Sequence, residues 1–350
     1  VRRISRAVVA VVVLLAAAGC AEEKKSGAPP STPMPTPSPT LPVPLTSQVA
    51  EKAFGTYVTD EDVARAAGDE RLAMTWTSGG QTLLTAAEFR KAAFDGDPVR
   101  RFSYEKPKLY VPKLKPDGYP QWFVASVKRS VQGEDESERT ALMAFILRSP
   151  SDRWHLTMTT LLSKKAKEPK VVLDPEGYAE ALGKDDTSVV IRPRDVGGIQ
   201  ATIAAEGGRS VAAKVMRPGA VTTGYYQQAR REKKKAKEKD LTLQVVYTAT
   251  PYPYFALRTE HDGAFVLYSL FRSTTLVAKD PKTPKPEIPS EAEHLLDGTV
   301  EGNEIDTTSV LHFAALDPAR AKKGKTQSKA SVIADDGAVS KATTPPLKKP

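Results

Sequence analysis

The spacing of hydrophobic positions changes several times along the chain. Residues 7–18 are twelve consecutive apolar residues, fewer than the ~20 a membrane-spanning helix needs. From Ser47 the period becomes helical: Val49, Ala53, Phe54 and Tyr57 fall on one face. A second short helix is expected over 63–73. Thr85 followed by Glu88 forms a capping-box pattern that predicts a third helix from Ala86. Beyond Arg100 the runs "RFSYEKPKLYV", "QWFVASVKRS", "TALMAFILRS" and "WHLTMTTLL" are strand-like and separated by turn material such as Asp117-Gly118.

The plan then recurs. In "DVGGIQATIAAEGG", Val196, Ile199 and Ile203 share a helical face, with Asp195 as N-cap and Gly207-Gly208 as the stop. Strands are expected in "LTLQVVYTAT", "YFALRTE", "AFVLYSLFRSTTLVA" and "TSVLHFAAL", with Asp262-Gly263 as a hairpin signal. "GYPQWFVAS" and "PYPYFALRT" align through Pro120 and Pro253, 133 residues apart, each entering a strand through Tyr-Pro. These patterns predict an α+β fold of two tandem modules, residues 47–168 and 169–318, each with helices packed on an antiparallel sheet.

Charge refines the outline. The net +9 comes from the ends: residues 47–318 hold 38 Lys/Arg against 38 Asp/Glu, whereas 319–350 hold eight against two. That last segment lacks an apolar face and is expected to be a disordered basic tail. Residues 21–46 contain eight prolines, a density that favours an extended stalk.

Arg2, Arg3 and Arg6, the apolar run and the small residues ahead of Cys20 form an export signal, residues 1–19. Valine at position 1 is read as a literally translated GTG start. Ala17, Ala18, Gly19 and Cys20 resemble the lipobox of bacterial lipoproteins, which implies a diacylglycerol at Cys20, the start of the stalk 20–46. Cys20 is the chain's one cysteine, so it has no partner for a disulfide or a thiolate metal site. The lipobox, the Pro-rich stalk and the paired Tyr-Pro strands are similar to uncharacterised lipoproteins of streptomycete-type actinobacteria. Each half resembles the cone-shaped fold of nuclear-transport-factor-like and cystatin-like proteins, and the insert after Met216 departs from a compact version of it. The resemblance implies anchoring at the extracytoplasmic face of the cell membrane and leaves the activity open.

The residues offer little catalytic chemistry. His155, His261, His294 and His312 are the only histidines, none at metal-ligand spacing. His155 and His312 lie in apolar strands and are expected as hydrogen-bonded core residues; His261 sits in a solvated turn. Nucleophile elbows, phosphate loops and dinucleotide fingerprints are missing. Ser103 to Lys106, "SYEK", matches Ser-x-x-Lys without its companion motifs. Tyr57, Asp60, Asp62 and His155 are the candidates for an acid-base set inside the first cone. The alternating charges of residues 230–240, "RREKKKAKEKD", fit an exposed helix or loop, or a patch for anionic wall polymers or headgroups; no aromatic platform for nucleic acid is interleaved.

Two readings follow. The first is a non-catalytic, lipid-anchored envelope protein that needs no cofactor or metal and presents both modules to a ligand, an envelope protein or a wall polymer. The alternative is a small-molecule isomerase or hydrolase with its site inside one cone, recognisable by Tyr57, Asp60 and His155 converging in a closed pocket.

Overall fold

Most of the expected runs become the elements they suggest. The structure, a computed structural model, describes residues 44–346 except 135, 281 and 297. Three helices come first, α1 (Ser47–Ala67), α2 (Glu70–Met74) and α3 (Gly80–Asp95). Five strands follow: β1 (Phe102–Tyr104), β2 (Lys108–Tyr110), β3 (Gln121–Val131), β4 (Arg139–Leu147) and β5 (His155–Leu162). The second half has α4 (Val196–Glu206), α5 (Thr223–Glu238), β6 (Leu241–Ala249), β7 (Phe255–Arg258), β8 (Ala264–Ala278), β9 (Glu304–Asp317) and β10 (Ser331–Thr343).

The helices depart from expectation at their ends. α1 runs unbroken past residue 63 because Thr46 caps it, accepting from Val49 N at 3.2 Å, and Gly68 in the left-handed region stops it. Thr85 lies inside α3, which begins at a glycine turn five residues earlier; its hydroxyl is buried and accepts from Gln81. Asp195 makes no side-chain cap on α4 and pairs instead with Arg192 at 2.6 Å.

The two halves share one antiparallel sheet, ordered β1-β3-β4-β5-β10-β9-β8-β6, with β2 also on β3 and β7 also on β8. The order is palindromic in kind. β1 and β2 pair in turn along one edge of β3, as β6 and β7 do along β8. At the centre β5 meets β10 through Leu162–Ala334 and Leu161–Asp335. All described residues therefore lie in one compact unit, Pro42–Pro350, with no break at residues 168/169.

Two expectations are corrected here. Residues 319–350, read as a disordered basic tail, contain β10, buried at Ile333 and Ala334 in mid-sheet. Its pairing partners are distant in sequence, so local patterning could not reveal it. Gly337 permits the close approach: a Cβ there would stand 2.5 Å from Val310 O on β9. The Tyr-Pro match also pairs positions that are not equivalent, since Tyr119-Pro120 enters β3 whereas Tyr252-Pro253 enters β7. The palindrome sets β7 against β2, behind Pro107.

The segment between the halves staples the free edges of β2 and β7 together. Ala179 N donates to Val111 O at 2.8 Å, Leu182 N to Ala256 O at 2.9 Å, and Arg258 N to Glu180 O at 2.9 Å. Hydrogen bonds thereby run around a closed ring of strands. Inside it pack Tyr110, Val124, Leu142, Met158, Phe255, Leu257, Phe265 and Leu267. The opposite sheet face carries the helices. α1 lays Ala53, Phe54 and Tyr57 on Phe123, Met143 and Phe145, while α4 lays Ile203 and Ala204 on Val266, Tyr268 and Phe313.

Candidate functional site

The helix-facing side of the first half is filled. Arg65, with 6% of its side chain exposed, donates to Glu61 at 3.0 Å, to Glu88 at 3.0 Å and to Arg100 O at 2.9 Å. Tyr104 OH donates to Glu61 at 2.7 Å. Burial alone would raise the Glu88 carboxyl, but the Arg65 charge and hydrogen bond, with Arg100 and Arg129 beyond, hold it below its ordinary value. The void left among Tyr57, Glu61, Arg65, Trp76 and Phe89 is about 10 Å³.

The proposed acid-base residues stay apart. Tyr57 stacks edge-on to Phe145, and burial and the nearby Glu61 raise its phenol. Asp62 pairs with Arg101 at 2.6 Å, whose hydrogen bond lowers the carboxyl. Asp60 is half-buried on α1. His155 lies 3.8 Å from Asp152, and burial lowers its imidazole. No hydrogen bond joins Tyr57, Asp60 and His155, and the small void beside Tyr57 is lined by neither of the other two. Ser103 and Lys106 are exposed on β1 and the turn after it. His261 is exposed, in the left-handed region of the turn between β7 and β8.

His312 is a core residue of β9, its Nδ1 3.1 Å from Thr159 O, and burial lowers its imidazole to about 4. His294 sits on a 3-10 turn, Ser290–Leu295, beside Arg90 and Phe94 of α3. Among the described residues no group of three or more His, Cys, Asp or Glu could hold a metal ion. Likewise no helix among them is long and apolar enough to cross a membrane. Cys20 and the stalk lie outside the described residues.

The second half holds an open groove on its helix-facing side. Alternation along β8 puts Ala264, Val266, Tyr268, Leu270, Arg272, Thr274 and Leu276 on one face. Its inner part is core beneath α4. Its outer part, from Arg272 on, is the floor of an open groove of about 600 Å³, continued by Leu241, Leu243, Ile305, Thr307, Ser309 and Val339. One wall is α5, whose residues Tyr225, Ala229, Glu232 and Ala236, with the C-cap Lys239 after them, follow the spacing of a single helical face. The other wall is the 284–291 loop, with Pro284, Lys285, Glu287, Pro289 and Glu291.

Charge is arranged around this floor. Arg272 donates to Glu232 at 2.6 Å and faces Tyr247 and Ser309 across its neighbouring strands. Its Nε is buried without a partner. Lys239 reaches across the mouth to Glu287 at 2.8 Å, and Lys285 is held by Val300 O at 2.6 Å. Residues 230–240 thus belong to a groove wall: they complete helix α5 and the turn after it. Sequence reading missed the floor residues, although the inward register of Arg272 is readable from the alternation along β8.

Comparison with known proteins bears on this arrangement. A family described as "Domain of unknown function (DUF8094)" matches residues 42–344, the span of the whole ring and its helices. The chain belongs to that family. Its relatives include "Uncharacterized lipoprotein SCO2278" of Streptomyces coelicolor, 27% identical over 278 residues, covering 77% of this chain and 79% of the relative. An "Uncharacterized lipoprotein" of Streptomyces avermitilis is 26% identical over 225 residues, 63% of each chain. "Uncharacterized lipoprotein SCO6871" of Streptomyces coelicolor is 30% identical over 161 residues, 44% of each chain. No solved structure matches the chain.

Proposed function

We propose that the protein is a lipid-anchored, non-catalytic binding protein of the cell envelope, held at the extracytoplasmic face of the membrane through Cys20. The lipoprotein names of its relatives support the anchor, as do the small residues before Cys20 and the apolar run ahead of them. Two acyl chains suffice for stable attachment. The ring and its helices are two modules fused edge to edge, and the palindromic strand order supports that reading. The second module needs β10, so it extends past residue 318.

The observation that carries the binding role is the open groove of about 600 Å³ between α5 and the 284–291 loop, a size usual for small-molecule sites. Its Arg272 and Lys239 are engaged with Glu232 and Glu287, which suits holding a ligand better than moving protons.

Two variants test the proposal. Cys20→Ala should release the protein into the medium or leave it uncleaved, whereas unchanged cleavage and membrane retention would refute the anchor. Leu243→Trp should plug the groove, and a compound that co-purifies with the wild type should be absent from it.

A further inference from the structure

The groove has an apolar floor beside a strongly basic helix. Leu241, Leu243, Leu276, Ile305 and Val339 supply a continuous hydrocarbon surface, of which Leu243, Leu276 and Val339 remain partly exposed. A surface of this kind gains by covering itself with another apolar group, at ~25 cal/mol per Å² buried. The wall above it carries seven Lys/Arg against two Glu over residues 230–239. Among the described residues Arg231, Lys233, Lys234, Lys235 and Lys237 form no ion pair. Of these, Lys235 lines the groove itself. Of the acidic lining residues, Glu232 and Glu287 are neutralised by Arg272 and Lys239, while Glu291 stands on the opposite wall in the 284–291 loop; the α5 side of the mouth is left positive.

An apolar trough under an unneutralised cationic wall complements one kind of molecule. We propose that the groove binds an acyl-chain amphiphile with an anionic headgroup, its chain along Leu243, Leu276 and Ile305 and its headgroup against Lys235 and the basic face of α5. The inference rests on the groove being the binding site and adds the chemical class of its ligand. A neutral sugar or peptide would leave the cationic wall without a counterpart, and a nucleotide would leave the leucine floor unsatisfied.

The test uses the full chain carrying Cys20→Ala, so that no acyl group at that position competes, with the fluorescent fatty acid cis-parinaric acid and its uncharged methyl ester as probes. One molecule of the acid should bind saturably per chain, more weakly as salt rises. Leu243→Trp should weaken acid and ester alike, by roughly tenfold or more. Lys235→Glu, an exposed change that leaves the core intact, should weaken the acid by about three- to tenfold and the ester by less than about twofold. No saturable binding, binding that Leu243→Trp leaves unchanged, or equal losses for acid and ester in Lys235→Glu would each overturn the inference.

Mass analysis of the membrane-purified protein separates this failure from that of the wider reading. A groove-dependent compound without an acyl chain overturns the amphiphile and keeps the binding site. The lack of any compound sensitive to Leu243→Trp overturns both.

Discussion

His312 on β9 stands against Gly80, the first residue of α3, so closely that a Cβ on Gly80 would lie 2.6 Å from Nε2. The same Cβ would meet Val310 at 3.0 Å and the Tyr252 ring at 3.3 Å. A helix of the first half is thereby fitted to a strand and a loop of the second. Gly80→Ala should cost about 1–3 kcal/mol by overpacking, measured by urea denaturation. Combining it with His312→Ala should recover part of that loss; purely additive losses would show that the two residues do not press on each other.

Asp317 gives stability a pH dependence opposite to that usual for an acid. Burial raises its carboxyl to about 7, against the Ile191 N–H bond at 3.0 Å and the Arg320 charge. The folded chain therefore keeps a proton that the unfolded chain releases between pH ~4 and ~7, so stability falls as pH rises through that window, by at most ~1.4 kcal/mol per unit. His312 works in the other sense. Its imidazole is lowered to about 4, so its contribution is full above pH ~6.5 and is lost as pH falls towards ~4. Asp317→Asn should remove its share of the first slope and leave the second, so that unfolding midpoints fall less steeply than in the wild type as pH rises towards 7; Asp335 and Asp336, also raised by burial, keep their shares. A profile unchanged from wild type would contradict this assignment.

Arg65 sits between two carboxylates. Arg65→Ala would leave Glu61 without its cation and Glu88 with only the more exposed Arg100, and a loss of ~3–5 kcal/mol is expected from breaking a buried pair. Thermal unfolding measures it. The loss should shrink at low pH, where both carboxylates can protonate. A loss that does not vary with pH would mean packing, not charge, is what Arg65 supplies.

β10 joins the halves, so a chain ending at Pro318 should lose cooperative folding. Its removal exposes the edges of β5 and β9 and uncovers Ala314 and Leu162. Hydrogen exchange on the full chain should protect Ala334 and Ala338 amides as strongly as those of β9. Rapid exchange there, or a truncated chain with an unchanged melting point, would contradict the central position of β10.

The sequence made legible those elements whose pattern is local. The stripe of Val49, Ala53, Phe54 and Tyr57 does face the sheet, with Ala53, Phe54 and Tyr57 buried, because a three-to-four spacing admits one geometry. β3, β4, β5 and β8 are equally clear, being dense in β-branched and aromatic residues. β10 was not. "SVIADDGAVSKAT" carries two aspartates, a glycine and a lysine, and it is a strand only because β5 and β9 offer open edges to it. The same limit hid the groove, since Leu243, Leu276, Ile305 and Val339 come from four strands and meet only through register.

The binding role stands or falls on one measurement. Native mass spectrometry of the full chain purified from membranes should show a bound small molecule on the wild type and on Tyr57→Phe, which alters the filled first half. The same mass should be missing from Leu243→Trp, folded to the same melting point. A bound mass that survives Leu243→Trp, or a wild type that carries none, would contradict the groove as the site of function.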